Sequence, residues 1–202
     1  MNKRQQSAAE TKKRLINAAR TLLKEKGLRA INVEEITKTA GVAKGTFYVY
    51  FKKKEDIILE YSRLPFLEIA EELKNMQNAG LIEKLTRYFN RFMECVEFHG
   101  INICREWIKD VIDPNNIGNS QDGGKWVYDF EMLKEILETA IKNNELKKGT
   151  PVELLTHLII SQLYGMMTCW CMSDEKFEPL DWTEEFCKIQ LKAIFERYLT
   201  KE

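Results

Sequence analysis

Apolar side chains recur along most of the chain at spacings of three and four, the period of a helix that lays one face on a core. Leu15, Ala18, Ala19, Leu22 and Leu23 set the pattern first and predict a helix that Gly27 stops. Asn32 with Glu35 three residues on has the form of a capping box, which predicts a short second helix to Thr39. Ala40-Gly41-Val42 reads as a turn, and a third short helix follows over 44–50. A basic break at 52–54 precedes a long fourth helix over 55–78, with Pro65 placed to kink it. Segments 81–98 and 101–112 are amphipathic on either side of Gly100, 113–124 is a loop, and 125–143 is helical again. Thr150 as N-cap with Pro151 at the first helical position predicts a helix to Met172, and the last helix spans 182–199. Alternation of β-branched residues is nearly absent, so the expected fold class is all-α.

Charge divides what this periodicity leaves continuous. The chain is neutral overall, yet residues 1–54 hold 14 Lys and Arg against 4 Asp and Glu. The other 148 residues hold 17 against 27, so a net +10 faces a net −10. One end is thereby suited to a polyanion, and the sign change places the domain boundary at Lys54: 1–54 and 55–202. No apolar run approaches the roughly 18 residues of a spanning helix. The N-terminal segment lacks the apolar stretch of a secretory signal, so a cytoplasmic location is expected.

Five cysteines (Cys95, Cys104, Cys169, Cys171 and Cys187) form no CxxC pair, which leaves no zinc-ribbon or dithiol-redox spacing. They read as reduced thiols in a core. No phosphate loop, dinucleotide fingerprint, metal-ligand spacing or catalytic constellation is present, so neither an enzyme nor a cofactor is expected.

The informative stretch is NVEEITKTAGVAKGTFYVYF, from Asn32 to Phe51. A helix-turn-helix needs a small residue where its two helices touch, a glycine that accepts positive φ, and apolar pins to a supporting helix. Ala40, Gly41, and the set Ile36, Val42, Phe47 and Phe51 supply these in register. Together with the following KKKEDI, the segment resembles the TetR-type transcriptional regulators over residues 15–59. Three departures stand out: Asn32 for a threonine cap, Thr37 for a small alanine, and Ala43 for the serine that caps the recognition helix. The last removes roughly 1 kcal/mol of capping.

The resemblance implies a three-helix DNA-binding domain followed by a helical ligand-binding and dimerisation domain. It implies DNA contact by Asn32, Lys44, Gly45, Thr46, Tyr48, Val49, Tyr50 and Lys54. Lys44 can donate to guanine, Val49 can meet a thymine methyl, and the hydroxyls can reach phosphate. Lys54, at the start of the fourth helix, can share a phosphate with the backbone N–H groups there. Lys12, Lys13, Arg14 and Arg29 read as solvated charge that adds non-specific affinity.

In the second domain large soft side chains are frequent, and most must be core. By resemblance a pocket lies among these helices, with Trp107, Phe130, Met166 and Trp170 as its lining and Asn102, Arg105 and Gln162 as polar anchors. Apolar coverage of the last two helices extends beyond one face. It points to a homodimer interface through Leu155, Ile159, Phe186, Ile189, Ala193, Ile194 and Arg197. The function so implied is a regulator released from a palindromic double-stranded operator by a small, largely apolar effector, with no membrane partner. Two rivals use the same residues differently: a thiol-based redox sensor on this scaffold, and an architectural DNA binder without an effector.

Overall fold

The computed structural model describes residues 3–26, 30–112, 124–174 and 176–200. Among them the secondary structure is helical: α1 (Lys3–Lys26), α2 (Val33–Ala40), α3 (Lys44–Tyr50), α4 (Lys54–Asn75), α5 (Leu81–Ile112), α6 (Gly124–Lys142), α7 (Val152–Ser173), α8 (Pro179–Phe186) and α9 (Lys192–Phe195). No strand occurs among the described residues; a single isolated bridge joins Leu146 and Leu199. The proposed stop at Gly27, Arg29 and nearly all of the expected loop lie outside the described residues.

The chain folds as two compact units, Met1–Leu64 and Pro65–Glu202. The division falls within α4, at the proline in its interior, later along the chain than the charge reversal at Lys54. Charge marks where α4 begins; packing divides it further on.

In the first unit α1 turns Leu15, Ala18, Ala19 and Leu22 into a core with Ile36, Phe47 and Phe51. Burying each of the larger side chains contributes roughly 1.5–3 kcal/mol. In the second unit α5 packs against α6, α7 and α8, and α6 packs against α7. α5 is broken at Gly100, whose φ of 75° and ψ of 165° leave the helical region. Only glycine takes that conformation without a steric penalty.

Two helix starts differ from expectation. α7 begins at Val152, with Pro151 rather than Thr150 at the cap position. The Thr150 hydroxyl instead donates to the Lys147 carbonyl at 2.6 Å and closes the preceding turn. The last helical stretch starts at Pro179, passes through a π turn at Cys187–Leu191 and stops at Phe195. It ends short of Leu199 because the Lys147 N–H donates to the Tyr198 carbonyl at 2.9 Å, drawing 198–200 alongside 145–147. No helix among the described residues is long and apolar enough to cross a membrane.

Candidate nucleic-acid interface and effector-binding residues

The turn between α2 and α3 is built almost wholly from neighbours in sequence. The Asn32 side chain accepts from the Glu35 N–H at 2.9 Å. The Glu35 carboxylate is held below the usual carboxylate range by a hydrogen bond from Lys26, and also by the Asn32 backbone N–H. The Asn32 half of the capping box is thus closed by a direct hydrogen bond, while the Glu35 carboxylate accepts from Lys26 at 2.7 Å. Thr37, buried where an alanine was expected, satisfies its hydroxyl on the Val33 and Glu34 carbonyls at 2.9 and 3.1 Å.

Gly41 ends α2 in the left-handed conformation at φ 65°, its N–H bonded to Lys38. A second constraint acts on the same residue. The Arg14 guanidinium reaches from α1 to donate to the Ala40 and Gly41 carbonyls at 2.5 and 3.0 Å. A β-carbon at Gly41 would lie 2.9 Å from that guanidinium. Arg14 is therefore a clamp on the turn rather than solvated charge. Lys12, also expected to be solvated, pairs with Glu60 at 2.7 Å.

α3 has a buried side and an open side. Phe47 is fully buried, and the ring of Phe51, which follows α3, lies tilted against it with centroids 5.4 Å apart. Lys44, Gly45, Tyr48 and Val49 are exposed, while Thr46 and Tyr50 are half-buried. Val49 is 76% exposed, which leaves its methyl groups open to a partner. No atom lies within 4 Å of a β-carbon built at Gly45, so backbone and solvent meet directly there. Ala43 caps α3 with no side-chain hydrogen bond, as its methyl group dictates.

Lys44 is paired with Glu34 at 2.6 Å. The hydrogen bond and mutual charge raise the lysine and lower the carboxyl. The pair is solvent-exposed, and such pairs are weak enough for a phosphate or a base edge to compete.

Lys54 and Asn32 are placed differently from the other six residues expected at DNA. The Lys54 ammonium donates to the Ile31 carbonyl at 2.9 Å. The start of α4 already carries an anion, since Asp56 accepts from the Lys52 and Lys53 N–H groups at 2.8 and 3.0 Å. Asn32 spends its side chain on the α2 cap.

The second unit distributes its expected ligand residues unevenly. Trp107, Phe130, Met166 and Trp170 are all buried. Trp107 stands edge-on to Phe66, and Phe130 lies 4.7 Å from the ring of His157. Asn102 is exposed and Gln162 half-buried. Arg105 donates to the Cys171 carbonyl at 2.8 Å and to Asp174 at 3.0 Å, which pins α5 to the end of α7. A cavity of about 290 Å3 opens elsewhere, between the ends of α4 and α6 and the start of α5. It is lined by Leu73, Leu81, Met132 and Ile136 with Lys74 and Lys84, and by none of the seven residues above.

Of the residues expected at a dimer interface, Leu155, Ile159 and Phe186 are buried inside the subunit, Phe186 stacking on Phe89 at 5.0 Å. Side chains committed to their own core have no surface left for a partner. Ile189, Ala193 and Arg197 are exposed and Ile194 is half-buried. Leu154 and Leu158 on α7, one turn apart, are exposed as well.

Four of the five cysteines are buried and only Cys169 is exposed. Burial pushes the Cys95 and Cys187 thiols up to about 11, so both stay protonated near neutral pH. No group of three metal-binding side chains occurs among the described residues.

Comparison with known proteins follows the same two-part division. Residues 15–61 match the family of bacterial regulatory proteins of the TetR type, and residues 127–193 match the C-terminal region of YsiA-like proteins. The chain is 41% identical over 159 residues to the uncharacterised helix-turn-helix transcriptional regulator YvdT of Bacillus subtilis, covering 73% of this chain and 76% of that one. It belongs to the TetR family. This TetR-family regulator is also 28% identical to the fatty acid metabolism regulator protein of Bacillus subtilis over 89% of this chain and 93% of the relative. Its fold matches that of Thermus thermophilus FadR, a TetR-family repressor solved with lauroyl-CoA. The TM-score is 0.70 at 19% identity, over 95% of this chain and 96% of that one.

Proposed function

We propose that this TetR-family regulator is a homodimeric repressor that an effector with a long apolar chain releases from a palindromic operator. One observation carries the DNA-binding half of this reading. The open face of α3 presents Lys44, Gly45, Tyr48 and Val49 to solvent while Phe47 anchors the same helix to the core. Lys44 would exchange Glu34 for a guanine edge or a phosphate, Val49 would meet a thymine methyl, and Thr46, Tyr48 and Tyr50 would reach phosphate oxygens. Asn32 and Lys54 act one step back, holding α2 and the start of α4 where the reading face needs them. In a twofold dimer two α3 helices would enter successive major grooves roughly 34 Å apart.

The effector half rests on two supports. The Bacillus subtilis relative, alignable over most of the chain, is named for fatty acid metabolism, and the Thermus thermophilus protein of the same fold was solved with an acyl thioester. The second unit, rich in buried Phe, Met and Trp, has the side chains to surround such a chain. Trp107, Phe130, Met166 and Trp170 would line it, with Asn102, Arg105 and Gln162 toward its polar end. Dimerisation would use Ile189, Ala193, Ile194 and Arg197 with Leu154 and Leu158. α4 belongs to both units, so a ligand that favours one tilt of this helix changes DNA affinity by its differential affinity for the two states.

The test is fluorescence anisotropy of labelled DNA from upstream of the coding region, with random competitor, followed by titration with lauroyl-CoA. Competitor-resistant binding that lauroyl-CoA reverses is expected. Equal affinity for operator and random DNA at all salt concentrations would overturn the reading in favour of an architectural binder. Tight operator binding untouched by lauroyl-CoA would remove the acyl effector and leave the regulator.

A further inference from the structure

Inside the second unit a lysine ammonium is enclosed by aromatic rings. Lys125 Nζ lies 3.8 Å from the ring centre of Phe66, 4.9 Å from Phe92 and 5.8 Å from Tyr164. The same ammonium is paired with Asp129, which is 1% exposed. The Tyr164 hydroxyl donates to that carboxylate at 2.7 Å. The rings form one connected wall, with centroids 5.1 Å apart for Phe66 and Phe92 and 5.8 Å for Phe92 and Tyr164. Three π faces and a carboxylate converging on one point make a receptor for an ammonium group.

Three features separate this cage from an ordinary structural ion pair. First, Lys125 is the second residue of α6, the positive end of the helix dipole, where a cation is disfavoured. The cage holds the ammonium in place against the preference of its own helix. Second, Tyr88 is fully buried beside the cluster, and its hydroxyl completes no hydrogen bond of full geometry. Asp129 and Tyr164 are the groups it faces, and burial with their charge pushes the phenol well above its ordinary range. The buried phenol is thus one more polar group set against the Asp129 carboxylate. Third, a buried Lys–Asp pair contributes little to stability compared with apolar side chains in the same space, so stability alone does not account for it.

We propose that the cage of Phe66, Phe92, Tyr164 and Asp129 is a binding site for the head group of a cationic alkylammonium ligand, with Lys125 as its built-in competitor. The incoming ammonium replaces Lys125 over the same rings and beside the same carboxylate, so charge stays balanced in the core. Lys125, at the start of α6, is returned to solvent. An anion cannot make the exchange, because it would meet Asp129 with like charge. A neutral head group would leave the carboxylate without a counter-charge. The acidic balance of residues 55–202 favours entry of a cation. This goes beyond the acyl-chain reading, resting only on the second unit being the effector-binding part.

The probe is dodecyltrimethylammonium below its micelle concentration, with dodecyl sulfate and dodecanol as matched-chain controls, titrated calorimetrically into the full-length protein without DNA. Binding of the cation is expected, at least tenfold tighter to Lys125→Met and at least tenfold weaker to Asp129→Asn. Neither control ligand gains from Lys125→Met. A folded Lys125→Met protein whose affinity for the cation is unchanged or lower would overturn the proposal. A second readout needs no variant: acetic anhydride labelling of the wild-type protein, read by mass spectrometry. Lys125 should react at least fivefold faster with the cation present; an unchanged rate overturns the proposal even if both variants fail to fold. Cation binding with the expected Lys125 response but no operator binding would support the cage and sink only the repressor reading. Operator release by lauroyl-CoA with no response of Lys125 would do the reverse.

Discussion

The two units of this regulator are both helical, but their decisive contacts span very different lengths of chain. Around the helix-turn-helix most are short, as with Asn32 and Glu35, Thr37 and Val33, and Gly41 and Lys38, while Arg14 to Ala40 and Lys54 to Ile31 reach further. In the second unit they are long: Arg105 with Cys171, Tyr164 with Asp129, and the Leu81 N–H with the Glu145 carboxylate. Local contacts give each residue a role that its neighbours reveal, so the first unit carries a readable motif. Long-range contacts leave only a demand for apolar bulk, which many sequences satisfy. The difference also bears on function: the unit that meets a uniform partner, DNA, is the locally determined one.

The sharpest way to break this comparison is at Phe47. Truncation to alanine should cost about 3–5 kcal/mol of stability in the first unit and abolish operator binding. Denaturation followed by a probe placed in each unit would check it. An undiminished first transition would mean that the motif does not depend on its buried anchor. The next largest effect should fall on the open face. Val49→Ala and Tyr48→Phe should leave stability within about 0.5 kcal/mol of wild type. Val49→Ala should nonetheless shift preference at a contacted base pair by about 1–3 kcal/mol, read from binding to single-base operator variants. Equal affinity across those variants would show that Val49 reads no base.

Gly41→Ala should destabilise by roughly 1–2 kcal/mol because an alanine there needs left-handed backbone. Combining it with Arg14→Ala should recover part of the loss, since the added methyl would crowd that guanidinium. Purely additive losses in a double-mutant cycle would remove the clamp from the account. A smaller gain of up to about 1 kcal/mol is expected for Ala43→Ser, which supplies the missing cap of α3. Thermal melts of the two proteins would show it. In the second unit, native thiol labelling with a chromogenic disulfide near neutral pH should titrate Cys169 alone, because the other four thiols are buried. Rapid reaction of Cys95 or Cys187 would show that this core is more open than its packing implies.

Several features are legible in the order of residues alone. The α2 cap at Asn32, the turn at Gly41, the burial of Phe47 and Phe51 and the break at Gly100 all follow from local steric or hydrogen-bonding needs. Others are not. Arg14 looks like any basic residue on an exposed turn of α1, and only the folded arrangement brings its guanidinium to two carbonyls some 26 and 27 residues on. Leu155, Ile159 and Phe186 show the same limit. Periodicity says that a helix has two apolar faces, but not which one the subunit itself consumes.

Residue order by itself determined the helical class, the basic DNA-facing end and the helix-turn-helix, because these depend on propensity, charge and contacts within a few residues. Tertiary structure alone decided which apolar faces remain free and what surrounds the pair Lys125 and Asp129. In sequence, that pair is an ordinary i, i+4 ion pair of a surface helix. It becomes a buried cage only because Phe66, Phe92 and Tyr164 arrive from three other helices. No spacing rule records where separate helices will meet.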